Sequence, residues 1–162
     1  MAGKVKRSLL ATFMNVEPGS STPTWELMGP GITDQTIAYN PQTEEETYIH
    51  EDSGVTELLS YRPTIPTPQT AIAGDPVFDF VDELRQKRAV MGDSKTEIVM
   101  VYKYESGSSG AYPAEKQAVG VQIDDFGGEG GGSLTINYTL NFEGDPVNGS
   151  FDPSTKSFTP GA

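Results

Sequence analysis

Apolar and polar side chains alternate along several short stretches of this chain. Over 96–105 both alternating faces are largely apolar, which predicts a central strand that is covered on two sides. Over 119–124 and 134–143 apolar residues alternate with polar ones, which predicts strands with one buried and one wet face. Weaker strand predictions are 8–16, 26–28, 34–40, 47–50 and 55–62, with a last hairpin closed at Asn148-Gly149, a dipeptide that tight turns favour.

One stretch follows a helical period instead. Its apolar residues at i, i+3, i+4 and i+7 are Val77, Phe80, Val81 and Leu84. Asp75 is suited to the N-cap, Pro76 to the first helical position and Gly92 to a stop, while acidic residues come early and basic residues late. These features predict an amphipathic helix over 76–90. The Pro- and Thr-rich segment between this helix and the 55–62 strand is interpreted as a linker.

Composition limits the classes of protein that fit. The 162 residues suit one domain, and 18 Gly and 12 Pro between short apolar runs favour many strands joined by turns. We therefore expect a single domain over 1–162, mainly β, built as a β-sandwich or flattened barrel with one packed helix. The net charge of −12 disfavours gripping nucleic acid, and the absence of cysteine excludes disulfides and thiolate metal ligands.

Several motifs suggest chemistry, but none has the spacing that its chemistry needs. The glycine run 127–132 lacks the dinucleotide-binding pattern and has no helix after it, so we interpret it as a hairpin loop. The acidic groups at 44–46 and 51–52 do not follow the calcium-loop pattern, and His50 has no second His or Cys for zinc. We expect no enzymatic activity, no cofactor and no metal. No apolar run approaches the roughly 20 residues that span a bilayer, and Lys4, Lys6 and Arg7 indicate a basic arm before the first strand rather than a signal peptide.

Three separated blocks resemble one known family. They are NPQTEEETYIHEDS at 40–53, QTAIAGDPVFDFV at 69–81 and 134–144. In order and content they resemble the tail tube (major tail) proteins of long-tailed bacteriophages. The resemblance implies a structural virion protein whose hexameric rings stack into the tail tube, the conduit for DNA ejection. Each subunit would add strands to a continuous inner barrel, carry a helix on its side and extend a long hairpin loop to its neighbours.

By this resemblance the segment 43–55 is the inter-subunit loop, the segment 1–8 an N-terminal arm and the segment 150–162 a C-terminal tail that reach other subunits. The loop residues expected at the interface are Glu44, Glu45, Glu46, Tyr48, His50, Glu51 and Asp52. Pairing of the loop with the next subunit would satisfy a sheet edge that otherwise exposes unpaired N–H and C=O groups.

The polar faces of the predicted strands are candidates for the wall of the pore. They comprise Gln122, Asp124, Asn137, Asn141 and Glu143, with solvent outside the tube as the alternative surrounding. Six subunits giving four strands each would build a barrel of about 24 strands with a pore about 40 Å wide. A duplex about 20 Å across would pass. An acidic wall would repel phosphates, so that DNA transits without specific binding.

The resemblance also implies partners and a location. The partners are further copies of the chain and other tail proteins, such as the tape measure, tail terminator and distal tail proteins, with no membrane. The location is the virion tail, after assembly in the cytoplasm of the host bacterium. Two alternatives stay open: a tube protein of a bacterial contractile injection system, with the same ring architecture, and an immunoglobulin-like binding or adhesion module, with a similar sandwich.

Overall fold

A computed structural model describes residues 3–161 as one seven-stranded antiparallel sheet, one helix and a separate two-stranded hairpin. The strands are β1 (Leu10–Asn15), β2 (Trp25–Leu27), β3 (Pro41–Glu46), β4 (Val55–Tyr61), β5 (Thr64–Thr70), β6 (Lys95–Tyr102), β7 (Tyr112–Gly127), β8 (Thr135–Asp152) and β9 (Ser157–Pro160), and the helix α1 is Pro76–Lys87. The sheet has the order β2-β1-β6-β7-β8-β5, with β9 on β8, and it curls into a nearly closed barrel. The expected mainly β class with one packed helix is confirmed. No helix among these residues is long and apolar enough to cross a membrane.

Strand β6 lies inside the sheet between β1 and β7, as its two apolar faces predict. Ile98 and Met100 point into the main core, while Val99 and Val101 point into a second cluster on the opposite face. The sheet therefore has a covered surface on both sides at this strand.

Helix α1 closes the main core. Val77, Val81 and Leu84 are buried against side chains of the sheet, and Asp75 accepts a hydrogen bond from the Phe78 N–H at 3.1 Å as the N-cap. The helix ends at Lys87 rather than at the predicted Val90. Its stop is Arg88, which adopts a left-handed φ of 48° and donates its N–H to the last turn, so Gly92 is not needed for that role.

The second cluster joins the ends of the curled sheet. The Phe13 and Phe151 rings lie 4.5 Å apart and Trp25 meets Phe151 edge-on at 6.5 Å, with Val99 and Val101 beneath them. These contacts bring β1 and β2 against the far end of β8. The pairing of the long strand β8 with β7 shifts in register at 144–146, between its two halves.

The predicted turn at Asn148-Gly149 is wrong, since both residues lie inside β8 and the chain turns at 153–156. Glycine is required at position 149 for another reason: a Cβ there would stand 2.2 Å from the Thr159 carbonyl oxygen of β9. The C-terminal segment is thus strand from 150 to 152 and again over Ser157–Pro160. The N-terminal arm is exposed over 3–8, and residues 1, 2 and 162 of the two terminal segments lie outside the described residues.

Strand β5 replaces the predicted linker. Its side chains alternate, with Ile65, Thr67 and Gln69 buried and Pro66 and Pro68 exposed, and it pairs with β8 along its whole length. Because proline cannot donate a ladder hydrogen bond, such a strand belongs at a sheet edge, which is where β5 lies.

Two of the weaker strand predictions are wrong. The segment 34–40 makes only an isolated bridge, between Ala38 and Thr64. The segment 47–50 belongs to the connection between β3 and β4, and the strand lies just before it, in the glutamate-rich stretch Pro41–Glu46. The glycine-rich run, in contrast, leads into the connection between β7 and β8, as predicted.

Candidate assembly surfaces

The β3–β4 hairpin stands apart from the sheet. Its register runs from Pro41 opposite Tyr61 to Glu46 opposite Val55, and all residues of the two strands are exposed except the half-buried Gln42. A two-stranded hairpin without a packed face is marginal in water. Its shape therefore calls for contacts that the isolated chain does not supply.

The hairpin and its root expose a group of large apolar side chains. They are Tyr39, Tyr48, Ile49, Val55, Leu58, Leu59 and Tyr61. The same stretch is strongly acidic, with six Asp or Glu and no Lys or Arg over 41–61. Apolar side chains that are grouped and rimmed by charge mark protein interaction sites.

The structure gathers the predicted loop residues into this one projection. Glu44, Glu45 and Glu46 lie on β3, whereas Tyr48, His50, Glu51 and Asp52 form the tip at 47–54. The Tyr48 hydroxyl donates to Glu46 at 3.0 Å, and its ring stacks on that of His50 at 6.4 Å. His50 Nε2 lies 3.2 Å from a Glu51 carboxylate oxygen. Their expected part in an interface stays a prediction.

The root of the hairpin is tied to the barrel. The Asn40 side-chain amide donates to the carbonyl oxygens of Ala38 and Arg62, at 3.3 and 3.1 Å, and to the Thr64 hydroxyl at 3.2 Å. Asn40 itself has a left-handed φ of 46°, which Asn tolerates better than most residues. Sequence reasoning did not single out Asn40, although an Asn before a Pro is a typical turn residue.

A second surface is the polar face of the sheet, which we define as the solvent side of β7 and β8 together with the start of β6. It carries all five lumen candidates: Gln122, Asp124, Asn137, Asn141 and Glu143. Asp124 accepts hydrogen bonds from Gln122 at 2.6 Å and from Thr139 at 2.7 Å, and Asn141 donates to Gln122 at 3.3 Å. The side-chain amide of Asn137 donates to Asp125 at 2.5 Å.

Both lysines of the polar face are in ion pairs. Lys95 pairs with Glu143, and Lys116 lies 3.7 Å from Glu97. The charged residues of this face are Glu97, Asp124, Asp125 and Glu143 against Lys95 and Lys116, so its net charge is 2 − 4 = −2. A polyanion would find no unpaired lysine among these residues.

A buried polar network joins the helix to the sheet beneath these surfaces. The Tyr138 hydroxyl donates to Gln69 Oε1 at 2.9 Å, and Gln69 Nε2 donates to Asp75 at 3.1 Å and to the Pro30 carbonyl oxygen at 3.1 Å. Burial, and secondarily the Asp75 charge, raise the pKa of Tyr138 above its ordinary value. Sequence reasoning missed Gln69 because it placed β5 in a linker, although the alternation of Pro66 and Pro68 with other residues was the available signal.

Residues 3–161 hold no group of three or more Asp, Glu or His side chains placed to bind a metal ion. Carboxylates of the polar face bond to neighbouring amides, hydroxyls or cations, and in the hairpin Glu46 accepts from Tyr48 and Glu51 lies beside His50.

No model of a known protein family matches the chain, and no curated protein does. Solved structures do match. A chain of the tail of an empty GTA particle, determined with C6 symmetry, has a TM-score of 0.60 at 14% identity, over 96% of this chain and 99% of that one. A chain of the six-fold symmetrised baseplate of the anti-feeding prophage has a TM-score of 0.51 at 8% identity, over 91% and 97% of the two chains. The chain therefore has the fold of phage-type tail tube proteins, the family that its sequence resembles.

Proposed function

We propose that this chain is the structural subunit of a phage tail tube, that six copies form a ring, and that stacked rings make the conduit for DNA ejection. The observation that carries the proposal is the exposed β3–β4 hairpin on a barrel of this fold. The role is structural and needs neither catalysis nor a cofactor.

The hairpin supports self-assembly through its composition. Leu58, Leu59 and Tyr61 are exposed to water in the single chain, and covering such side chains stabilises a complex by about 25 cal/mol for each Å² of apolar surface removed from water. The outer edges of β3 and β4 also have free ladder groups that another strand could pair. In a tube of identical subunits, each hairpin can contact a neighbouring copy in the same way, so one hairpin per copy is enough to form every contact of that type.

The polar face supports the assignment of the lumen. Strands β6, β7 and β8 present it and β5 adjoins them as a fourth strand, and six such sets of four would line a pore about 40 Å wide. With −2 per copy the wall would carry 6 × (−2) = −12 per ring, and its lysines are neutralised by glutamates. A DNA duplex would pass along such a wall without binding to it.

The remaining expectations follow from this role. The tube would lie in the virion tail after assembly in the host cytoplasm, and its ends would contact the tape measure, tail terminator and distal tail proteins. The terminal segments at 1–8 and 150–162 would reach other subunits.

A second candidate is the tube of a bacterial contractile injection system, which the likeness to the anti-feeding prophage baseplate chain favours. An immunoglobulin-like module fits less well, since that fold packs two sheets and lacks the helix that closes the core here. The two tube roles differ in whether the particle delivers DNA. Purifying the particles with their native partners and testing whether they contain packaged DNA would distinguish the two roles.

The proposal is tested by concentrating the purified protein and examining it by sedimentation velocity and negative-stain electron microscopy. We expect hollow tubes or six-membered rings. A protein that stays monomeric at every concentration would contradict the structural role.

A further inference from the structure

A cleft lies between the C-terminal end of α1 and strand β7. Its volume is about 700 Å³, and its apolar lining includes Leu84, Val90, Met91, Ile123 and Phe126. This volume is large enough for one or two side chains of a partner. The cleft lies apart from the hairpin and borders the polar face at Gln122, and the packing of the single chain leaves it open.

The mouth of the cleft exposes apolar side chains on a fixed backbone. Val90 is 67% exposed and Met91 is 83% exposed, at the start of the 3₁₀ turn Met91–Ser94. Methionine is flexible and polarizable, so it adapts to the shape of an inserted side chain. The cleft therefore has flexible and apolar side chains at its mouth that could contact an inserted side chain.

The rim of the cleft is basic in a chain of net charge −12. Arg85 and Arg88 line it, and Lys87 lies between them in the sequence. Arg85 lies over the Phe126 ring at 3.8 Å and pairs with Asp82 at 2.8 Å, and Lys87 pairs with Glu83. Arg88 takes part in none of the ion pairs among residues 3–161, so its charge is available to a partner.

The hairpin tip has the complementary chemistry. Ile49 is fully exposed at its end, and the surrounding strand and tip carry Glu44, Glu45, Glu46 and Glu51. The six-residue strand β3 extends about 20 Å from the root, so the tip can reach a surface of an adjacent copy. One apolar side chain rimmed by acid therefore meets an apolar cleft rimmed by base.

We propose that the cleft at the end of α1 receives the hairpin tip of a second copy, with Ile49 inserted beside Met91 and Phe126 and with the β3 glutamates facing Arg88. This docking rests on the proposed self-assembly and adds to it the receiving surface. The contact is heterologous, because donor and acceptor surfaces differ, and such contacts build rings or filaments rather than closed pairs.

The basic N-terminal arm is the other cationic surface that an acidic hairpin could meet. Lys4 and Lys6 are exposed there, but the nearby cleft beside Arg7 is smaller, about 270 Å³, and mixes Ser8, Thr33 and Asp34 into its lining. Both clefts have mixed linings, and an isoleucine with its neighbours would bury more surface in the larger cleft at α1. Docking of the hairpin tip on the arm is therefore a separate outcome that the test below can detect.

The test uses the absence of native cysteine. One preparation carries Ile49→Cys and a second carries Met91→Cys, so that a cross-link between positions 49 and 91 can form only between different copies. The two are mixed, allowed to assemble and treated with a short bismaleimide. Parallel mixtures replace Met91→Cys by Val5→Cys in the arm or by Ser20→Cys in an exposed turn, and electron microscopy records whether tubes form in each.

We expect the 49–91 cross-link to dominate in mixtures that form tubes. Arg88→Glu should lower its rate about fivefold, whereas Arg88→Lys, which retains the charge at the same left-handed φ, should change it little. Glu45→Arg on the donor should recover part of the loss with Arg88→Glu.

Tubes that give no 49–91 product, or that give the 49–5 product instead, would overturn the docking while leaving the tube function intact. A wild-type protein that forms no oligomer would overturn both. A 49–91 product in oligomers that are not tubes would support the docking and contradict the tube.

Discussion

The packed body of this molecule and its β3–β4 hairpin treat apolar side chains in opposite ways. In the body, Ile98, Val81 and Phe151 are fully buried, and the buried side-chain polar atoms among residues 3–161 all have hydrogen-bond partners. In the hairpin, Leu58 is 50% exposed and Leu59 is 61% exposed, on strands of which every residue but Gln42 is exposed. The difference teaches that folding and assembly are encoded in separate regions, because the body is complete alone and the hairpin is not.

The largest effect on folding should come from placing a charge in the body. Leu84→Asp puts a carboxylate into the buried contact between helix and sheet, at a cost of several kcal/mol, comparable with the whole stability of many domains. Circular dichroism should report a large fall in the melting temperature. An unchanged melting temperature would mean that α1 does not pack where the structure has it.

A smaller loss of stability should follow from Tyr138→Phe. This change leaves the buried Gln69 Oε1 without its donor, which costs about 1–3 kcal/mol in the free energy of unfolding, measured with urea. Because the pKa of Tyr138 is raised on folding, its contribution is fully present below the ordinary tyrosine pKa and decreases as the pH rises above it. The difference between wild type and variant should therefore shrink in alkali. A difference that stays constant with pH would contradict the assignment of this group.

The matched substitution in the hairpin should leave folding unchanged. Leu58→Asp makes the same chemical change as Leu84→Asp but at a side chain that is already 50% exposed, so we expect a change within about 0.5 kcal/mol. Polymerisation should nevertheless fail, as it should on deletion of 44–53. Normal tubes from either variant, measured by sedimentation, would remove the hairpin from the assembly mechanism.

A change on the polar face should act on the passage of DNA rather than on the packed core. Asp124→Lys with Glu143→Lys adds 2 × 6 = 12 positive charges to a six-membered ring and also leaves Lys95 without its partner. Mutant tubes should retain DNA at low salt and release it as salt rises, and wild-type tubes should ignore DNA throughout. Co-sedimentation at several salt concentrations is the measurement, after microscopy has confirmed that the variant assembles. Equal, negligible retention by both would place these residues outside the pore, and strong retention by wild type would contradict the repulsive wall.

The parts of the fold that the sequence predicts well are those with an uninterrupted period. The helix begins where Asp75 and Pro76 indicate, and β6 is central as its two apolar faces require. In both cases local pattern and burial agree, because a covered face must be apolar at each repeat.

The parts that were not predicted depend on contacts distant in sequence. Pro66 and Pro68 suggest a linker, yet β5 is a strand. It lies at the edge of the sheet, where the missing N–H groups of the two prolines are tolerated. Gly149 suggests a turn, yet it is glycine because β9 presses on it. The acidic strand β3 has no buried face to give it a period, so its strand character follows from pairing with β4 alone. The residues of the two candidate surfaces could be named from the sequence. The hydrogen bonds of Asn40 at the hairpin root and the cleft at the end of α1 could be seen only in the structure.

The most direct measurement is a cryo-electron microscopy reconstruction of the assembled wild-type protein, with the 44–53 deletion as its control. We expect stacked six-fold rings in the wild type, each hairpin seated on another copy and the polar face of Gln122, Asp124 and Asn141 turned to the pore. The deletion should give folded monomers. Tubes in which the hairpins lie free in solvent, or a wild-type protein that remains monomeric, would contradict the claim that the hairpin is completed by another subunit.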